Sequence, residues 1–140
     1  MMREILFRGK RFMDGQWVDG SLFIDEKKDK HEILVGYVNY RIGWEVDPNT
    51  IGQYTGMTDK NGTKIFEGDI IHELDGSMDN IARVVRWDID YMEYTCPLVK
   101  KHWCYGYNEC SLWMMHSENI EVVGNIHDNP ELMGGNDGED

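Results

Sequence analysis

Five side chains able to ligate a metal, Cys96, His102, Cys104, Cys110 and His116, fall within 21 positions. Thiolate and imidazole are the ligands of tetrahedral zinc, so zinc is the first chemistry to weigh. Structural zinc sites usually place two cysteines on one tight turn, whereas these are spaced C-x7-C and C-x5-C. That spacing favours cysteines acting as small buried hydrophobes and histidines at the surface. No metal or other cofactor is expected. Nucleophilic catalysis finds no G-x-S-x-G elbow. Glu67, Asp69 and His72 lie close together, but Gly68-Asp69 reads as a corner in which a short acid bonds its own backbone. Asp88 and Asp90 form a D-x-D pair without a third carboxylate at matching spacing, and read as a turn at a strand end. Neither phosphate-cradling glycine motif occurs. The expectation is a protein that works without catalysis.

Binding is the remaining class. Arg83 and Arg86, with Lys100, Lys101, Trp103 and Tyr105, form a possible binding surface of cations among aromatics, the kind on which small barrels stack single-stranded nucleic acid. Arg3, Arg8, Lys10 and Arg11 against Glu4 give residues 3–11 a local charge of +3. The whole chain opposes such binding, with 14 Lys+Arg against 26 Asp+Glu and a net charge of −12. A second reading takes that acidity as imitation of phosphate, presented to a host nucleic-acid-binding protein. The acids are spread through loops and tail, with five in residues 128–140, which suits solubility equally well. A third reading is assembly. Ile33–Tyr40, Trp44, Trp113, Met114 and Met115 offer more apolar surface than one small β domain requires, and a homo-oligomer would cover it.

The elements that must carry these residues are strands. There are 26 β-branched residues (12 Ile, 9 Val and 5 Thr) against 7 Leu and one Ala, a balance that suits pleated sheets and not helices. Strands are expected at 4–8, 16–24, 33–40, 51–55, 63–66, 70–74, 82–88, 111–116 and 120–126. In the second, Val18, Gly20, Leu22 and Ile24 form the core face. In 82–88, Arg83, Val85 and Trp87 share one face and Ala82, Val84, Arg86 and Asp88 the other. Asp25–Glu32, with seven charged residues and one His, reads as a solvated loop. Asp59-Lys60-Asn61-Gly62 is a hairpin turn, and Asn129-Pro130-Glu131 opens a short helical turn. No apolar run is long enough for a signal peptide or a membrane span, and the odd cysteine number fits free thiols in a reducing cytoplasm. The expected protein is soluble and cytoplasmic, with no membrane partner.

Several segments together resemble the YopX-like proteins of phages and prophages. They are Glu4–Gly9 (EILFRG), Gly15–Gly20 (GQWVDG), Asp47–Glu67 (DPNTIGQYTGMTDKNGTKIFE) running into Gly68-Asp69-Ile70-Ile71, and Ile120–Leu132 (IEVVGNIHDNPEL). The resemblance covers nearly the whole chain and brings no catalytic residues to carry over. It implies a mainly β fold: an N-terminal β-hairpin section over about 1–60, then a C-terminal SH3-like small β-barrel over about 61–127. These would pack as one domain through 133, ahead of a disordered acidic tail at 134–140. It also implies a phage or prophage accessory protein in the bacterial host cell. The residues themselves, not the resemblance, carry the expectation that it binds itself or another macromolecule, a host or phage protein or a nucleic acid.

Overall fold

A computed structural model describes residues 3–74, 81–99 and 111–133 of the 140. The expected tail lies outside the described residues. The chain divides into two units, Met1–Gly56 and Met57–Asp140.

In the first unit, β1 (Phe7–Lys10) pairs antiparallel with β2 (Trp17–Asp25), β2 with β3 (Lys30–Gly36) and β3 with β4 (Arg41–Glu45). On its other edge β1 pairs with the start of β5 (Gly52–Thr58), so the order is β4-β3-β2-β1-β5. Val18, Gly20 and Leu22 are half-buried as the alternation requires, but Ile24 is exposed near the strand end. Ile33 and Val46 are fully buried, and each such side chain contributes about 2 kcal/mol.

The expected charged loop at 25–32 narrows to the four-residue turn 26–29, and its other four residues are strand. β2 continues to Asp25 and β3 begins at Lys30, with Asp25 opposite Lys30. The Asp25 carboxylate accepts the N–H groups of Lys27 and Lys28, closing the turn locally. Charge density marked solvent exposure and said nothing against pairing. The strand expected at 33–40 ends at Gly36, where the Tyr37 N–H donates to the Tyr40 carbonyl and turns the chain into β4. A single 3-10 turn, Pro48–Thr50, is capped by Asp47, whose carboxylate accepts the Asn49 N–H. The Thr50 hydroxyl donates to the Asp47 carbonyl and accepts the Lys10 N–H, clipping this loop to β1.

β5 runs past Gly56 into the second unit. There β6 (Lys64–Phe66) follows it in sheet order through the Asp59–Gly62 turn, with Gly62 at φ 82°. β7 (Asp69–Glu73) is central to a three-stranded sheet, between β8 (Ile81–Val84) and β11 (Ile120–Asn125), the last strand among the described residues. β9 (Arg86–Asp88) and β10 (Glu93–Thr95) form a two-stranded ribbon. Ile65, Ile71, Val85, Cys96, Leu112 and Ile120 make the core, with Met57, Tyr94, Met115 and Val122 packed against it.

Three expectations change here. The run 82–88 is broken at Val85, whose N–H donates to the Asp69 carbonyl and whose carbonyl accepts the Gly68 N–H. The buried corner draws Val85 out of the ladder. Ser111–His116 is not a strand: after one bridge from Ser111 to Thr95, Leu112–Met114 form a 3-10 turn that buries Leu112. The sheets are open, so the closed SH3-like barrel expected over 61–127 is not seen among the described residues. The mainly β class stands. The helical turn expected at 129–131 is a 3-10 turn, Pro130–Met133.

Gly68 sits at φ 89° in the corner between β6 and β7, where its N–H and C=O bond Val85 and Ile126. Gly68→Ala is expected to cost about 1–2 kcal/mol, because an L side chain is strained there. The urea unfolding midpoint checks this, and an unchanged midpoint would contradict it.

Candidate binding surface

Arg83 does not belong to a surface. It is 6% exposed; its Nε donates to the Glu73 carboxylate at 2.9 Å and its Nη1 to the Cys96 carbonyl at 2.8 Å. The guanidinium is an internal brace between β7, β8 and the stretch after β10, and the reading of it as a contact residue is corrected. The alternation carried the signal: Arg83 shares a face with Val85, which is fully buried. An arginine on a core face requires a buried acceptor. Arg86 is exposed on β9. Lys100, Lys101, Trp103 and Tyr105 lie outside the described residues.

Of the five candidate metal ligands, His102, Cys104 and Cys110 also lie outside them. Cys96 is buried in the core with its thiol 3.2 Å from the Met115 sulfur, whereas His116 is exposed beside Glu118. These two do not converge, and the described residues contain no cluster of three His, Cys, Asp or Glu suited to a metal. Glu67, Asp69 and His72 do not form a constellation either. Asp69 is 1% exposed and accepts the Phe66 N–H at 2.7 Å, while His72 lies in mid-strand opposite Ala82 and Glu121. The Asp88 carboxylate accepts the Asp90 N–H at 2.9 Å, the turn expected of that pair.

The N-terminal cations are held against aromatic faces. The Arg8 guanidinium lies 4.6 Å and the Lys10 ammonium 5.5 Å from the Trp17 ring centre, and Arg11 sits 4.2 Å over Trp44. Such contacts use the quadrupole of the ring. Arg11 also donates to Asp14, which keeps its own proton affinity raised. That same bond, helped by the Gln16 N–H, holds the Asp14 carboxyl below its ordinary range. In this part of the first unit Arg11 is paired with an acid, and Arg8, Lys10 and Arg11 all lie against indole faces.

Among the described residues, the exposed aromatic surface of the second unit gathers on and beside the β9–β10 ribbon. Trp87 packs edge-on to Tyr94 at 4.9 Å, and Tyr94 is anchored against the core. Beyond Trp87 the turn carries Ile89, Tyr91 and Met92, all exposed, with Met92 at φ 55°. Glu93 accepts the Ser111 hydroxyl at 2.8 Å and the Trp113 Nε1–H at 3.0 Å, fixing the edge of an indole that is 70% exposed. Sequence reading missed Glu93, since its two partners are 18 and 20 residues away and no local pattern announces them.

Among the described residues no helix is long and apolar enough to cross a membrane. The family model described as YopX protein matches residues 6–134. Among solved structures the chain is similar to the crystal structure of protein EF1440 from Enterococcus faecalis, with a TM-score of 0.56 and 20% identity over 94% of this chain and 99% of that one. At that identity the likeness shows the fold alone. No curated protein matches the sequence.

Proposed function

The chain belongs to the YopX family, and from that premise we propose that it is a non-catalytic binding protein, of phage or prophage origin and cytoplasmic in the host, whose copies associate through the first unit. The observation that carries this reading is the tip of the β3–β4 hairpin. Tyr37 and Tyr40 stack at 5.0 Å, both exposed, and Val38 between them is 98% exposed. This apolar tip stands at the end of β4, the terminal strand of its sheet. An edge strand presents backbone groups that a second strand can pair, and exposed apolar side chains beside it favour burial.

Charge distribution supports a second copy as the occupant. Residues 1–56 carry 8 Lys+Arg and 9 Asp+Glu, a net of −1, which leaves 6 against 17, a net of −11, for residues 57–140. Two copies meet with least repulsion through the nearly neutral unit. Light scattering at tens of micromolar is expected to give a multiple of the monomer mass. Replacing Tyr37, Val38 and Tyr40 with Ser, all at exposed positions, is expected to return the protein to the monomer with its circular dichroism unchanged. A wild-type monomer would defeat the proposal, as would an oligomer indifferent to the triple substitution.

A further inference from the structure

We infer that the aromatic β9–β10 ribbon of the second unit is a docking surface for an Arg-rich segment of a partner protein. Three observations lead there. The ribbon is exposed yet ordered: Tyr94 roots it in the core, Asp88 closes its turn, and Glu93 fixes the Trp113 edge. Its presented groups are aromatic and apolar, with Tyr91 76% and Trp113 70% exposed and with Trp87 and Ile89 also uncovered. The ribbon from Arg86 to Thr95 holds three acids, Asp88, Asp90 and Glu93, against one base, Arg86, at its far end from the turn.

The chemistry of the occupant follows from those groups. The indole edge of Trp113 is already bonded to Glu93, so its π faces are what it offers. Ring faces carry negative potential and attract guanidinium above all. Carboxylates interleaved with those rings strengthen that preference and set the sign of the partner. A second copy is disfavoured here because residues 57–140 carry −11, and a phosphate backbone is disfavoured for the same reason. This surface is separate from the β3–β4 tip, and the two can fail independently.

The test is fluorescence anisotropy with a labelled peptide of alternating Arg and Ser. A saturable rise is expected for the wild-type chain. Y91S/W113A alters only exposed side chains, so its circular dichroism and melting temperature should stay unchanged while affinity falls about tenfold. D137N/E139Q/D140N, which removes the same sign of charge elsewhere in the sequence, is expected to bind as wild type does. Absence of any rise would overturn the inference, as would undiminished binding by Y91S/W113A or an equal loss in the tail variant. Tighter binding of a single-stranded oligonucleotide through Tyr91 and Trp113 would overturn it too.

Discussion

Arg83→Met is expected to destabilise the second unit by about 3 kcal/mol, because removing one member of a buried ion pair leaves the other without its counter-charge. Arg83 is nearly inaccessible, and it donates to the Glu73 carboxylate and to the Cys96 carbonyl. Methionine retains much of the packing volume, so the loss reports the two acceptors and not a cavity. Glu73 keeps 29% of its side-chain exposure and can regain water, which keeps the cost at the lower end for buried pairs. The Cys96 carbonyl has less recourse, since its residue is fully buried. Glu73→Gln keeps an oxygen that accepts from Arg83 but leaves that nearly inaccessible guanidinium without its counter-charge, and is expected to cost about 2–3 kcal/mol. Urea denaturation of both variants and of E73Q/R83M measures the coupling. Strict additivity of the two losses would mean that the pair does not act as a pair.

The second large effect belongs to Asp59. Its side chain is 4% exposed, and its oxygens accept the N–H groups of Asn61, Thr63 and, across 63 positions, Val122. Burial pushes this carboxyl towards its neutral form, but the three N–H donors, with Lys60 nearby, outweigh it and hold the carboxyl below its ordinary value. Asp59→Ala leaves three backbone donors without that acceptor and is expected to cost about 3 kcal/mol. Asp59→Asn keeps the shape but turns an amide N–H2 towards one of the donors, at a cost of about 2 kcal/mol.

The sign of the pH dependence follows from the direction of the shift. The folded-state value lies below the unfolded one of about 4, so the stabilisation is fully present above that pH. It is lost progressively as pH falls through the lower folded value. The stability gap between wild type and D59N, measured by urea unfolding at descending pH, is therefore expected to narrow below about pH 4. A gap that stays constant or widens would contradict the assignment.

These two residues also show what a sequence can disclose. The Asp59–Gly62 turn was legible because turn chemistry is local: Asp and Gly at fixed offsets suffice. That Asp59 also reaches Val122 was not legible, since nothing within the turn specifies a strand 63 positions away. For Arg83 the alternation pointed inward while its residue type pointed outward, and the type was followed. The apolar run 111–116 suggested a strand because strand and 3-10 turn can bury the same Leu112. Of the possible binding surface, Arg86 alone is described and exposed. The aromatic ribbon emerged only when β9 and β10 brought Trp87 opposite Tyr94.

The unequal division of charge, −1 in residues 1–56 and −11 in residues 57–140, has a consequence for how the protein responds to its ionic surroundings. At physiological ionic strength charges are screened beyond about 8 Å, and dilution lengthens that reach. An association made through the nearly neutral half should change little with added salt. Capture of a cationic partner by the acidic half should weaken steadily as salt rises. One chain thus holds a salt-indifferent contact and a salt-sensitive one, and a potassium chloride titration resolves them without any substitution.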